Sequence, residues 1–339
     1  MKRWIQRPTG SNWGDYGDDD QLGRANLIGK AQVLKGIDEV RAGEVFCLSL
    51  PLDLPGGNIL NPRRHPPRLS PTSLGGDEYL NFPLANVHSG WKDVISDDQV
   101  ILSLQYSTQW DSLAHVGALF DADNDGKAER RYYNGYRAGV DVQHESEPSG
   151  KSHSHAARLG VDQMAMHGMQ GRGVLVDLIR VFGHRRTVIG LEEWQHALRE
   201  LDVEIEPGDM LVIRTGFAEV LQEMEGNPDA DALRQTGAVL DGRDSGLLEW
   251  ISSSGVAAIC ADNYAVENID DDNAEACCLK LPLHHHCLFK LGLPLAELWY
   301  LRELADWLHT HGRYRFLLTA PPLRLPGAIG SPVTPIATV

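Results

Sequence analysis

The 339 residues predict an α/β domain, a mixed buried sheet surrounded by helices, and three observations carry that expectation. Short, continuous apolar runs bounded by Gly, Asp or Pro recur along the chain, as strands covered on both faces require. Segments with helical periodicity lie between them. No flexible Pro/Gly/polar linker separates two cores beyond Ile95, and 42% hydrophobic content is ample for one large core.

The expected strands are Val45–Leu50, which stops at Pro51, then Val100–Tyr106, Gly173–Ile179, Met210–Arg214, Val256–Cys260 and Arg315–Leu318. Helical periodicity marks Ala156–His167, Leu191–Leu201, Leu247–Ser252 and Leu301–His309. Leu191–Leu201 follows Gly190 and has Glu192 and Glu193 in its first turn, where negative charge suits the helix dipole. The first hundred residues are rich in Gly, Pro and Asp. Runs such as Leu54-Pro-Gly-Gly-Asn and Asn61-Pro-Arg-Arg-His-Pro-Pro read as long loops. The expected organisation is a single domain over 1–339, with a loop-rich part at 1–95 covering the site and a core at 96–339.

Formal net charge is −16, from 47 acidic and 31 basic residues. Such a surface repels nucleic-acid phosphates and anionic lipid headgroups and favours cations, so neither nucleic acid nor membrane is an expected partner. The basic N-terminus has no apolar run behind it, and no stretch reaches the length of a membrane span. Five cysteines, Cys47, Cys260, Cys277, Cys278 and Cys287, form no C-x-x-C pair. They fit reduced thiols, and a cytoplasmic location is the expectation.

The segment Gln105-Tyr-Ser-Thr-Gln109-Trp-Asp111-Ser-Leu-Ala-His115 follows an apolar run and leads into a Gly- and Asp-rich loop. It resembles the H-x-G-T-H-x-D-x-P-x-H signature of the cyclase family that includes bacterial kynurenine formamidases. Thr108, Asp111 and His115 match. Gln105 and Gln109 stand at the two histidine ligands, Ser107 at the glycine and Leu113 at the proline. A second segment, His285-His-Cys-Leu-Phe-Lys-Leu-Gly-Leu-Pro-Leu-Ala-Glu297, resembles the other half of that family's metal site, with His285 and Glu297 on its two ligand positions and His284 and His286 as close neighbours. The spacing exceeds one helix face, so a helix must break at Gly292 and Pro294 into an extended segment. Asn12-Trp-Gly, Asp18-Asp-Asp-Gln-Leu-Gly, Gly171–Asp177, Gly208–Gly216 and Pro322–Pro332 resemble further family segments in order. The resemblance implies the swivelling β/β/α fold of the cyclases, a homo-oligomer (dimer or tetramer), a small-molecule substrate, and an amide, lactam or lactone as the scissile group.

Two carboxylates and one imidazole suit a divalent ion that activates water. The resemblance assigns the ion to Asp111, His285 and Glu297, and proton transfer to His115, imidazole being a side chain suited to general acid and base work. Glutamine binds metals only through a neutral carbonyl. Gln105 and Gln109 therefore weaken the site they line and shift preference from zinc toward harder ions such as manganese. The expected cofactor is one ion, Mn or Zn. Without a metal, the glutamines would bond a substrate or Asp111, and His115 with Asp111 would support a lyase or cyclase. A third reading is an inactive homologue that binds a small molecule.

Other features weigh less. Asp121-Ala-Asp-Asn-Asp-Gly resembles the start of a calcium loop, but its twelfth position is Tyr132, so an acidic turn is the expectation. Asp262 and Glu267 follow an expected strand end, where α/β sheets often carry functional groups. His153 and His155 read as loop residues, Arg63, Arg64 and Arg68 as solvated, and Asp270–Asp272 as a loop cluster. Gly168-Met-Gln-Gly-Arg-Gly173 precedes its strand and so is no phosphate loop.

Overall fold

Met210, Leu211, Val212 and Ile213 are all buried, and this continuity puts their strand in the middle of a sheet covered on both faces. The computed structural model describes residues 2–146, 152–269 and 279–339. Nine strands form the central sheet: β1 Val45–Cys47, β2 Gln109–Asp111, β3 Gln170–Asp177, β4 Met210–Arg214, β5 Ala258–Ala261, β6 Leu295–Glu297, β7 Arg315–Thr319, β8 Gly330–Pro332 and β9 Ile336–Thr338. Their spatial order is β1-β9-β7-β3-β4-β5-β6-β2-β8. The ladders β3/β4, β4/β5 and β5/β6 are parallel, and the flanking ladders are antiparallel. The expected α/β class and mixed buried sheet are both present.

The helices that cover the sheet include α1 Lys30–Asp38, α2 Leu191–Glu200, α3 Ser245–Ser254, α4 Pro282–His284 and α5 Arg302–Thr310. Alternation along each strand assigns side chains to the two faces. Leu211 and Ile213 join Trp194 of α2, Ile251 of α3 and Leu283 of α4 in one core. Met210 and Val212 join Leu304, Ala305 and Leu308 of α5 in the other. Asp244 serves two helix starts. Its carboxylate accepts from Gly246 and Leu247 at the start of α3 and from Leu191 at the start of α2. These backbone donors hold its pKa below the ordinary carboxylate value. Two buried arginines neutralise acids along the parallel strands. Arg214 holds Asp177 and Glu219 at 2.8 and 2.7 Å, and Arg172 grips Asp209 with two hydrogen bonds.

Two sequence expectations fail. Val100–Tyr106 is not a core strand. Asp98–Ile101 pairs with Arg68–Pro71 in a separate surface ribbon, and the chain turns through 104–107 before β2. The apolar run reads as a buried strand, but Val100 and Ile101 face solvent and Tyr106 is buried in the turn. Ala156–His167 is helical only over Val161–His167, because 152–156 pairs with 142–146 and Leu159 has positive φ. The ribbon 68–71/98–101 spans the point, near 95, where the loop-rich part was expected to end. Cys277, Cys278 and Asp270–Asp272 lie outside the described residues; Cys260 and Cys287 are buried free thiols. Among the described residues no helix is long and apolar enough to cross a membrane.

Trp110, at the centre of β2, points to the α5 side. It meets Trp299 edge-on at 5.7 Å and donates from Nε1 to the Ala320 carbonyl at 2.8 Å. The ring is fully buried, so it packs the core on the face opposite Asp111. Trp110→Ala should destabilise the protein by about 3–5 kcal/mol, as a large core truncation does. Chemical denaturation checks this, and a loss below about 1 kcal/mol would mean that the ring is not an anchor of this face.

Candidate metal and proton-transfer site

Gln109 and Asp111 point to the face opposite Trp110. Register places Glu297 beside Gln109 and Leu295 beside Asp111 across the β6/β2 ladder. Both carboxylates therefore enter one buried region from adjacent strands. On the other side of β2, Gly330 lies opposite Asp111. A Cβ at Gly330 would stand 2.2 Å from Gln105 Cγ, so glycine there lets the Gln105 amide reach in and donate to Asp111 Oδ1. Asp111 Oδ2 is buried and has no hydrogen-bond partner.

The imidazole that meets these carboxylates belongs to His284. Glu267, fully buried, accepts from the Leu283 and His284 backbone N–H groups at 2.9 and 3.0 Å, at the start of α4, and from His284 Nδ1 at 2.7 Å. That bond assigns the Nδ1 proton and turns Nε2 inward. Nε2 lies 3.4 Å from Glu297 Oε1 and 3.8 Å from Asp111 Oδ2. The segment leading to Glu267 is strained. Ala265 and Val266 have φ of 72° and 59°, a left-handed region that costs a β-branched residue about 1–3 kcal/mol. Leu298, just after Glu297, also has positive φ.

The structure brings His284, and not the expected His285, to Asp111 and Glu297. Successive residues on a helix point about 100° apart, so one of three adjacent histidines reaches a given site. His285 packs beside Phe289 with ring centroids 4.9 Å apart, and His286 pairs through Nε2 with Ser252 Oγ at 2.9 Å. Burial and then the Lys290 charge pull both of their pKa values down to about 4. A π-helix over His285–Leu291 continues α4, and its wider turn absorbs one residue more than an α-helix. The inward histidine is thus thirteen residues before Glu297, not twelve. The expected break follows at Gly292, and β6 begins at Leu295.

The N-terminal segment supports this helix. The carbonyls of Phe289, Leu291 and Gly292 accept from Trp13 Nε1, Asn12 Nδ2 and the Arg24 backbone at 2.7, 2.7 and 2.8 Å. Gly23 and Gly292 pack backbone against backbone; a Cβ on Gly23 would lie 2.1 Å from the Gly292 oxygen.

His115 completes the cluster. Ligand atoms of Asp111, His115 and His284 lie within 4.8 Å of one another, and the His115 and His284 rings are 6.2 Å apart. The 111–115 segment is a turn, with the His115 N–H bonded to the Ser112 carbonyl. His115 is partly exposed whereas Asp111, His284 and Glu297 are buried, so it alone of the four can exchange protons with solvent directly. Gln105 and Gln109 serve the loop. Gln105 holds Asp111, and the Gln109 amide nitrogen faces the carbonyls of Ser107 and Gln105. Arg64 donates to the Gln105 carbonyl at 2.7 Å, and Asn61 to the Tyr264 hydroxyl at 3.2 Å. Asn61, Arg64, Tyr106 and Tyr264 line a small cleft beside this loop.

Burial raises the Asp111 pKa, opposed by His115 and reinforced by Glu297. Burial also pushes Glu297 up, but the hydrogen bond and charge of His284 outweigh it and hold the group below its usual value. Burial lowers His284, yet its bonds to Glu267 and Glu297 prevail and raise it to about 10. Three buried acidic side chains, Asp111, Glu267 and Glu297, thus surround the His284 ring. The residues fit a divalent cation. They supply an orphaned carboxyl oxygen on Asp111, an oriented imidazole nitrogen and a second carboxyl group on Glu297.

Other flagged residues are elsewhere. Asp262 accepts from Thr215 N and Oγ1 and from Gly216 N, all at 2.7–2.8 Å, and ties down the turn after β4; burial raises its pKa to about 7. Asp121 bonds the backbone of Asp125 and Gly126 in an acidic turn. His153 and His155 lie on the 142–146/152–156 ribbon, and Arg172 of the Gly-rich run is buried against Asp209.

A family model described as "Putative cyclase" matches residues 48–268. The chain belongs to the cyclase family. The chain is similar to a solved structure described as "a novel cyclase", with 32% identity over 97% of each chain and a TM-score of 0.74. It is also similar to isatin hydrolase A from Labrenzia aggregata bound to benzyl benzoate, at 14% identity over 91% of this chain and 98% of that one, TM-score 0.55. Isatin hydrolase A from Ralstonia solanacearum is matched at 14% over 91% and 94%, TM-score 0.53. At 14% identity the cyclase shares a fold with these hydrolases. No curated protein matches in sequence.

In the metal-free protein, the raised His284 pKa contributes stability that is fully present below its unfolded value near 6.5. That contribution is lost as pH rises toward about 10. Denaturation midpoints of metal-free protein should therefore fall between pH 6.5 and 10, and His284→Gln should flatten that slope. An unchanged slope in the variant would show that His284 is not the group responsible.

Proposed function

We propose that this cyclase is a metal-dependent hydrolase that cleaves a C–N bond of a cyclic or acyl amide, or the related bond of a lactone. The observation that carries the reading is the buried, unpartnered Asp111 Oδ2 beside the inward Nε2 of His284 and the carboxylate of Glu297. Those three residues would hold one ion, Mn or Zn. When bound, it would supply Lewis acidity toward a carbonyl and acidify water. His115, open to solvent, takes the proton from the attacking water and returns it to the leaving nitrogen or oxygen. Gln105 occupies Asp111 Oδ1, so that Oδ2 alone faces the cluster. Glu267 fixes the His284 tautomer. Neighbours of the same fold named isatin hydrolase support hydrolysis as the reaction type.

A second reading, a metal-independent lyase or cyclase using His115 and Asp111, has one observation behind it. His284 Nε2 lies 3.4 Å from Glu297 and 3.8 Å from Asp111, where a protonated ring could stand in place of an ion.

Elemental mass spectrometry separates the two. About one Mn or Zn per chain should be found, lost in Asp111→Ala and His284→Ala and kept in His285→Ala, and a chelator should abolish amide or lactone hydrolysis. An ion-free protein after incubation with excess Mn and Zn would leave the lyase. Retention in His284→Ala with loss in His285→Ala would return the ligand role to His285. A further variant, Glu267→Gln, should weaken ion binding about 10–100-fold with the fold intact, measured by competition with a metal indicator; unchanged affinity would remove Glu267 from the positioning role.

A further inference from the structure

A cavity of about 260 Å³ opens between β3, the end of α2 and the end of α5. Leu175, which lines it, packs in the same core as Trp110, so the cavity lies on the sheet face opposite Asp111. In the sheet, β4 and β5 separate β3 from the Glu297 strand β6. The cavity is therefore distinct from the candidate metal site. Its walls are Leu175, Leu201, Val203, Ala305 and Leu308. Asp177 lines it too and is 6% exposed. One of its oxygens, Oδ2, accepts from Arg214 at 2.8 Å, whereas Oδ1 is buried with no hydrogen-bond partner. A buried acceptor left so is costly, and a donor entering the cavity would satisfy it.

The surrounding charge specifies that donor. Arg214 serves three carboxylates, with Glu219 at 2.7 Å, Asp177 at 2.8 Å and Asp306 at 4.0 Å. One guanidinium against three carboxylates leaves the group formally negative. Arg313, at the cavity edge, is held by Glu39 at 3.5 Å. At the mouth Glu200 and Asp202 outnumber Arg180. Both α2 and α5 end at the cavity, and helix C-termini carry partial negative charge. Each of these contributions favours a cation.

The cation is organic. Among the described residues the acids of this cavity form no group close enough to hold a metal ion, and a metal ion has no use for five apolar walls. An apolar cavity of about 150 Å³ already admits a benzene ring, so this one has room for a ring and a short charged arm. We propose that the cavity binds a small organic monocation, a primary ammonium on an apolar body, which donates an N–H to Asp177 Oδ1.

Isothermal titration calorimetry of the full chain at neutral pH tests this with benzylammonium as the probe. Benzyl alcohol and benzoate keep the ring and remove or reverse the charge. Benzylammonium should bind once per chain with a Kd on the order of 1 mM or tighter. Benzyl alcohol should bind at least about tenfold more weakly, and benzoate not at all. Asp177→Asn removes the charge at constant shape and should weaken benzylammonium at least about tenfold. Val203→Trp fills the cavity, leaves the Asp177–Arg214 pair in place and should abolish binding; it decides alone if Asp177→Asn loses the wild-type circular dichroism. Asp111→Ala should bind as wild type does. No binding of benzylammonium up to about 10 mM, equal or tighter binding of benzyl alcohol or benzoate, or wild-type affinity in either folded cavity variant would overturn the proposal. So would loss of binding in Asp111→Ala, which would place the cation in the metal site.

Discussion

Glu267 carries two demands with one carboxylate. It satisfies two backbone N–H groups at the buried start of α4, and it binds the ring nitrogen of the histidine in that same turn. Helix position and ring direction are therefore coupled: α4 cannot rotate or slide without breaking the bond that aims His284. The left-handed backbone of Ala265 and Val266 shows what holding Glu267 there costs. Losing the carboxylate would leave a helix start and an imidazole without partners inside the core.

The sheet explains why the cluster sits where it does. Four parallel strands meet an antiparallel pair at β6, and β2 lies between β6 and β8. Alternation sends Trp110 into one core and Asp111 toward the other, so the strand that anchors one layer also delivers the acid to the opposite layer. Glu297 arrives on the same face from β6, and α4 lies across it with His284. No element need be long for this. β2 and β6 have three residues each.

Much of this was legible in the sequence. The continuous apolar runs at 173–179 and 210–214 became central strands because burial on both faces leaves no polar alternation to read. The Gly292–Pro294 break and the convergence of Asp111 with Glu297 came from motif residues. The register of the histidine triplet did not, because a π-helix differs from an α-helix only in how the backbone closes its turns, and the apolar pattern of Cys287–Leu291 suits both. Glu267 was visible only as an acid after a strand, since its partners lie sixteen and seventeen residues away in a helix. Val100–Tyr106 misled for a different reason. Hydrophobicity marks Val100 and Ile101 for burial, but it cannot see that they pair with Arg68–Pro71 in a ribbon away from the core.

Trp13 reaches across 276 residues to the Phe289 carbonyl. The indole packs against Phe120 on its own side of the chain and against Phe289 on the far side, so its hydrogen bond forms only after the helix it supports has been made. Closing so long a loop is slow relative to local structure. His284 is thus held twice over: Glu267 aims the ring from close by in the chain, and Trp13 braces the turn behind it from 276 residues away.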